Sequence, residues 1–100
     1  MNGILYANAK SSGAATTDII AAVAGKVLAV RKVTITGSAA STVKIQDDTT
    51  TQLSALHEIV AGVPLVLEYT DGRKTGAGKK LQGVNSAGNV AYEVEYWTEP

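Results

Sequence analysis

The stretch 71–80, DGRKTGAGKK, sets Arg73, Lys74, Lys79 and Lys80 around three glycines, the composition of a loop that could hold an anion. Its spacing fails the specific templates. A phosphate loop of the form G-x-x-x-x-G-K-[ST] needs a glycine five places before Gly78, where Arg73 stands, and a hydroxyl after Lys79, where Lys80 stands. The dinucleotide pattern G-x-G-x-x-G fails at Leu81. Turn chemistry predicts instead a solvated hairpin loop with Asp71 and Gly72 as its turn, its basic side chains forming a candidate surface for a partner. A second glycine–lysine pair opens the run VAGKVLAV at 23–30, with Val27 where the hydroxyl belongs. That run has an echo, VAGVPLVL at 60–67, in which valine replaces the lysine. The glycine is shared and the charge is not, which points to a turn.

Other candidate chemistry is sparse. His57 is the single histidine and there is no cysteine; HEIVA lacks the second histidine four places on that a zinc-protease helix requires, and the usual zinc ligand sets cannot be assembled. Ser54 lies near His57, but no G-x-S-x-G elbow surrounds it. Asp47 and Asp48 are adjacent at the end of an extended run, where neighbouring side chains point apart, and a turn accounts for them better than an acid–base pair. These constellations give no expectation of an enzyme, a metal or a cofactor. Trp97 closes the most regular run in the chain and has two readings, anchor for a partner or lid over its own subunit. The acidic end at Glu93, Glu95 and Glu99 is expected to meet the basic loop 71–80, within one chain or between copies.

The elements that must position these residues read as strands. Threonine and valine, eleven of each, carry two heavy atoms on Cβ and favour the pleated surface of a sheet. Residues 90–96 alternate strictly, with Val90, Tyr92, Val94 and Tyr96 on one face and Glu93 and Glu95 on the other. Residues 42–46 and 65–69 alternate similarly. The run 27–36 breaks phase, because Leu28 and Val30 share one face and Val33 and Ile35 the other; a β-bulge near Val30 to Lys32 would restore the alternation, and burial of both faces before the break is the alternative. Further strands are expected at 4–9, 17–22, 53–59 and 80–85. A short helix over IIAAVA, capped by Thr17 or Asp18 and closed by Gly25, competes with the strand at 17–22.

About eight short strands separated by turn-rich segments predict an all-β fold, an antiparallel β-sandwich or small barrel. The glycine echo, one copy in each half, suits a jelly-roll-like sandwich built from two related corners. Residues 1–15 read as an N-terminal arm or first edge strand, and 16–100 as the single sandwich domain. Although 45% of the chain is hydrophobic, it has no phenylalanine and one tryptophan, so the core is thin and burial against another copy is expected. Nine basic and nine acidic residues cancel, which gives no field for nucleic acid or an anionic membrane. The longest apolar runs fall short of a membrane span, and residues 1–12 lack the pattern of an export signal.

The series TTDIIAAVAGKVLAVRKVTITGSAASTVKIQD at 16–47, with LHEIVAGVPLVLEY at 56–69 and LQGVNSAGNVAYEVEYW at 81–97, resembles a group of small tailed-bacteriophage virion proteins. The resemblance implies a β-sandwich on the outer capsid surface: a decoration, or cement, protein that binds the major capsid protein and stabilises the head, often as a homotrimer. It also admits a tail, fibre or receptor-binding module that recognises carbohydrate or another surface. The candidate interface residues are Arg73, Lys74, Lys79, Lys80 and Trp97, with Ile4, Leu5 and Tyr6 from the amino-terminal segment.

Overall fold

A computed structural model describes residues 3–48 and 51–100. Eight strands follow in chain order: β1 (Leu5–Lys10), β2 (Ala15–Ile20), β3 (Val27–Gly37), β4 (Ser41–Asp47), β5 (His57–Ile59), β6 (Leu65–Lys74), β7 (Leu81–Asn85) and β8 (Val90–Glu99). They form two antiparallel sheets, β1-β8-β3-β6 and β2-β7-β4-β5. Each of the first four strands pairs with the strand that mirrors it in chain order: β1 with β8, β2 with β7, β3 with β6 and β4 with β5. The chain is thus one long antiparallel hairpin rolled over on itself, and the β3–β8 and β4–β7 ladders complete the two sheets. This is the jelly-roll form of the sandwich.

The inward faces follow the alternation of the sequence. Val90, Tyr92 and Val94 of β8 are buried, as are Val43 and Ile45 of β4, and Leu65 and Leu67 of β6 pack against them. In β3 the predicted bulge is present: the register shifts between Val30 and Lys32 on both of its ladders. Arg31 is pushed out to solvent, so that Leu28 and Val30 before it and Val33 and Ile35 after it all enter the core. Tyr92 is the largest fully buried side chain. Its ring lies against Gly83 of β7 in the opposite sheet, where any Cβ would overlap it. One aromatic ring set against one glycine does much of the space-filling that phenylalanines do elsewhere.

Of the two readings of residues 17–22, the strand is the one formed: β2 ends at Ile20 and the chain turns at 23–26. A helix over IIAAVA would have few internal hydrogen bonds to offset its nucleation, whereas the strand gains the β7 ladder. Two expectations need correction. The strand expected over 53–59 is confined to His57–Ile59, because 51–54 folds across the end of β4: Leu53 N donates to Ile45 O at 2.9 Å, and Ser54 Oγ accepts from Ile45 N at 3.0 Å. Asp71 and Gly72 make no hairpin turn but lie inside β6. Residues 69–72 bulge opposite Arg31, and Gly72 takes a φ of 78° beneath the Trp97 ring. The connection from β6 to β7 begins only at Thr75.

The glycine echo is one case of a wider rule. The chain has four Ala-Gly pairs, at 24–25, 61–62, 77–78 and 87–88, and in each the glycine has a φ between 69° and 75°. Three of them close the same i to i+3 hydrogen bond: Lys26 N to Val23 O, Val63 N to Val60 O and Lys79 N to Gly76 O. Glycine at the third position of such a turn meets the requirement for positive φ. The turns at 23–26 and 60–63 both carry the chain from the β2-β7-β4-β5 sheet to the other, and then open β3 and β6, which are neighbours.

Candidate interaction surfaces

The basic residues of 71–80 do not form one patch. Lys74 Nζ pairs with Glu99 Oε1 at 2.9 Å and Lys80 Nζ with Asp18 Oδ2 at 3.1 Å. Arg73 donates from Nη1 to Leu53 O at 2.7 Å and stacks over the Tyr69 ring, 4.5 Å from its centroid. The Lys79 side chain makes no hydrogen bond or ion pair among the described residues; its backbone N donates to Gly76 O. The expected meeting of basic stretch and acidic terminus therefore occurs inside one chain, through Lys74 and Glu99.

Electrostatics at these pairs follow from their contacts. Hydrogen bonds from Lys74 and Trp97 hold the Glu99 carboxyl below its ordinary value. Hydrogen bonds from Gln82 and Lys80 do the same for Asp18. Burial raises the Tyr69 hydroxyl, against the opposing pull of Arg73, and burial alone pushes Tyr92 up to about 12.

Trp97 faces outward on the β1-β8-β3-β6 sheet, opposite Ala29 in register, and is only 8% exposed. Gly72 and Ala29 lie beneath its ring, and Nε1 donates to Glu99 Oε2 at 2.8 Å. The ring thus packs on its own chain, on the outer face of the sheet and outside the hydrophobic core cluster. Beside it an open groove of about 670 Å³ crosses the sheet's outer face, lined by Ile4, Arg31, Lys32, Glu68, Tyr69, Thr70, Glu95 and Trp97. A smaller hollow of about 310 Å³ shares Lys32 and Glu95 and reaches Tyr6 and Asn8. Arg31 and Glu95 pair across the groove at 3.4 Å, an exposed contact of small net energy. Sequence reasoning missed this groove, because its residues come from Ile4 before β1 and from β3, β6 and β8, and meet only once the β3–β6 and β3–β8 ladders form.

Asp47 is more than a turn residue. It is 2% exposed at the end of β4, and its two carboxylate oxygens accept from Thr51 N at 3.1 Å and Gly76 N at 3.0 Å, tying two loops to the sheet. His57 opens β5. Among the described residues no group of three or more His, Cys, Asp or Glu side chains is placed to hold a metal ion, and no helix is long and apolar enough to cross a membrane.

The exposed large apolar side chains have a common location. They are Leu5, Tyr6, Val23, Leu56, Val60, Val63 and Val66. Leu5 and Tyr6 lie on β1 and Val66 on β6, the two edges of one sheet; Leu56 and Val60 flank β5, an edge of the other; Val23 and Val63 sit in turns that follow edge strands. The four central strands, β8, β3, β7 and β4, display none among the described residues. Ile4 precedes β1 and lines the groove. No protein-family model and no curated protein matches the chain.

Proposed function

We propose that this chain is a structural assembly module of a virion, a decoration or cement protein that docks on the outer surface of a tailed-phage head, contacts the major capsid protein and stabilises the shell. The observation that carries the reading is the confinement of large exposed apolar side chains to the rim of the sandwich. Covering exposed apolar side chains with a neighbour is favourable, and a rim meets neighbours on either side where a single cleft would meet one ligand. Repetition of modest rim contacts over a symmetric shell yields firm attachment by multivalency. The jelly roll is also a fold that viral shells share with lectins, an analogy at the level of the fold.

One observation favours a second reading. The groove beside Trp97 sets acidic and basic side chains next to aromatic ones, which suits a polar surface ligand such as a carbohydrate and would make the chain a fibre or receptor-binding module. Adding purified protein to heads assembled without it separates the two. Saturable binding at fixed stoichiometry, with a rise in the temperature at which the heads rupture, is expected for a cement protein. Attachment to host cells with no binding to heads would overturn that reading in favour of the second.

A further inference from the structure

The four sheet edges are unequally protected against another strand. β5 is three residues long. β2 meets β7 through a register shift between Asp18 and Ile20. β6 is bulged against β3, follows Pro64, and carries Glu68, Asp71, Arg73 and Lys74. Short length, bulges, proline and charge are the devices that keep a sheet edge from recruiting a partner. β1 has almost none of them. Its register with β8 runs unbroken from Leu5↔Tyr96 to Lys10↔Ala91, and its one charge is Lys10, at its last position. It also bears Tyr6, 75% exposed, the most exposed large apolar side chain of the described residues. Its outer edge has no strand partner among them.

We propose that β1 pairs antiparallel with β1 of a second copy, about a two-fold axis through Asn8 and normal to the sheet, making one continuous sheet of order β6-β3-β8-β1-β1-β8-β3-β6. The strand is self-complementary in this register. Residues directly opposite must lie on the same face, so an axis through Asn8 sets Tyr6 against Lys10 of the other copy, twice by symmetry, with Ala7 against Ala9 on the core side. An ammonium over a tyrosine ring is attractive, and small residues at the centre let the two backbones approach. The pairing names a partner for the rim described under the assembly reading and is closed at two chains.

The free protein tests it without any virion, so a failure here and a failure to bind heads are separate results. Sedimentation over a concentration series is expected to show a two-chain species. Hydrogen exchange should show amides of residues 5–10 gaining protection as that species forms, while those of β6 do not change. Asn8→Lys sets two like charges against each other on the axis, and should weaken association by at least about tenfold while leaving the far-ultraviolet circular dichroism unchanged. Because the chain has no cysteine, Asn8→Cys places a single thiol on the axis and should give a disulfide-linked dimer under mild oxidation, whereas Thr70→Cys on β6 should not. A single-chain mass at every concentration, a three-chain mass, or protection gained at β6 in place of β1 would overturn the proposal.

Discussion

Tyr92 and Gly83 show how much one contact carries in a core with few large side chains. The ring occupies the space above Gly83, so Gly83→Ala forces the ring or the β7 backbone to move and is expected to cost about 1–3 kcal/mol, measured by denaturant unfolding. Tyr92→Phe should behave oppositely. The hydroxyl is buried without a hydrogen-bond partner, so its removal should leave stability unchanged or raise it by up to about 1 kcal/mol. A large loss in Tyr92→Phe would mean that the hydroxyl is satisfied in solution. Glu99 gives a pH-dependent case. Its folded pKa lies below the ordinary 4.5, so its contribution is present above that value and disappears as pH falls through the folded pKa. The gap in Tm between wild type and Glu99→Gln is expected at pH 7 and should close below pH 4.5; a gap that stays constant into acid would refute the ionic origin.

At the scale of the element, the turns define the roll. Gly25 and Gly62 occupy matching positions in two turns with the same hydrogen bond, and nothing lies within 4 Å of a Cβ added at either. Replacement by alanine therefore reports backbone strain alone. Gly25→Ala and Gly62→Ala should each destabilise by about 1–2 kcal/mol, and by similar amounts. A marked inequality in thermal unfolding would mean the two corners are not equivalent. Gly72→Ala should cost more than either, because a positive φ is combined there with a Cβ 2.8 Å from the edge of the Trp97 ring. The β3 bulge acts on the same scale: one inserted residue converts a run with hydrophobics on both faces into a strand that buries one of them, and turns Arg31 into the groove.

Across the whole molecule, the mirrored pairing of strands places the two ends of the chain side by side, with Leu5 against Tyr96. Contacts so distant in sequence must be closed against chain entropy before they stabilise anything, which makes such topologies slow to fold. Refolding followed by the fluorescence of Trp97, the one tryptophan, is expected on a scale of about milliseconds to seconds. Completion within microseconds would contradict the topology. The same arrangement leaves four strand edges open to solvent and gathers the exposed apolar side chains there, which is why assembly is a property of the molecule's outline and not of any one motif.

The strands, their inward faces and even the bulge at Arg31 were legible in the sequence, because alternation along a strand is a local consequence of the pleat and a break in it has a local cure. The paired glycine turns were legible for the same reason: positive φ selects glycine wherever it occurs. Which strands pair, and which residues meet on the outer faces, were not legible. DGRK carries the chemistry of a turn, yet it became a strand because Trp97, 25 residues on from Gly72, needed a position without a side chain to lie on. The basic cluster at 71–80 dissolved into pairs with Asp18 and Glu99, partners far along the chain. The groove and the unprotected β1 edge exist only once strands distant in sequence are laid side by side, since exposure and strand neighbours are set by the tertiary fold and not by any stretch of sequence.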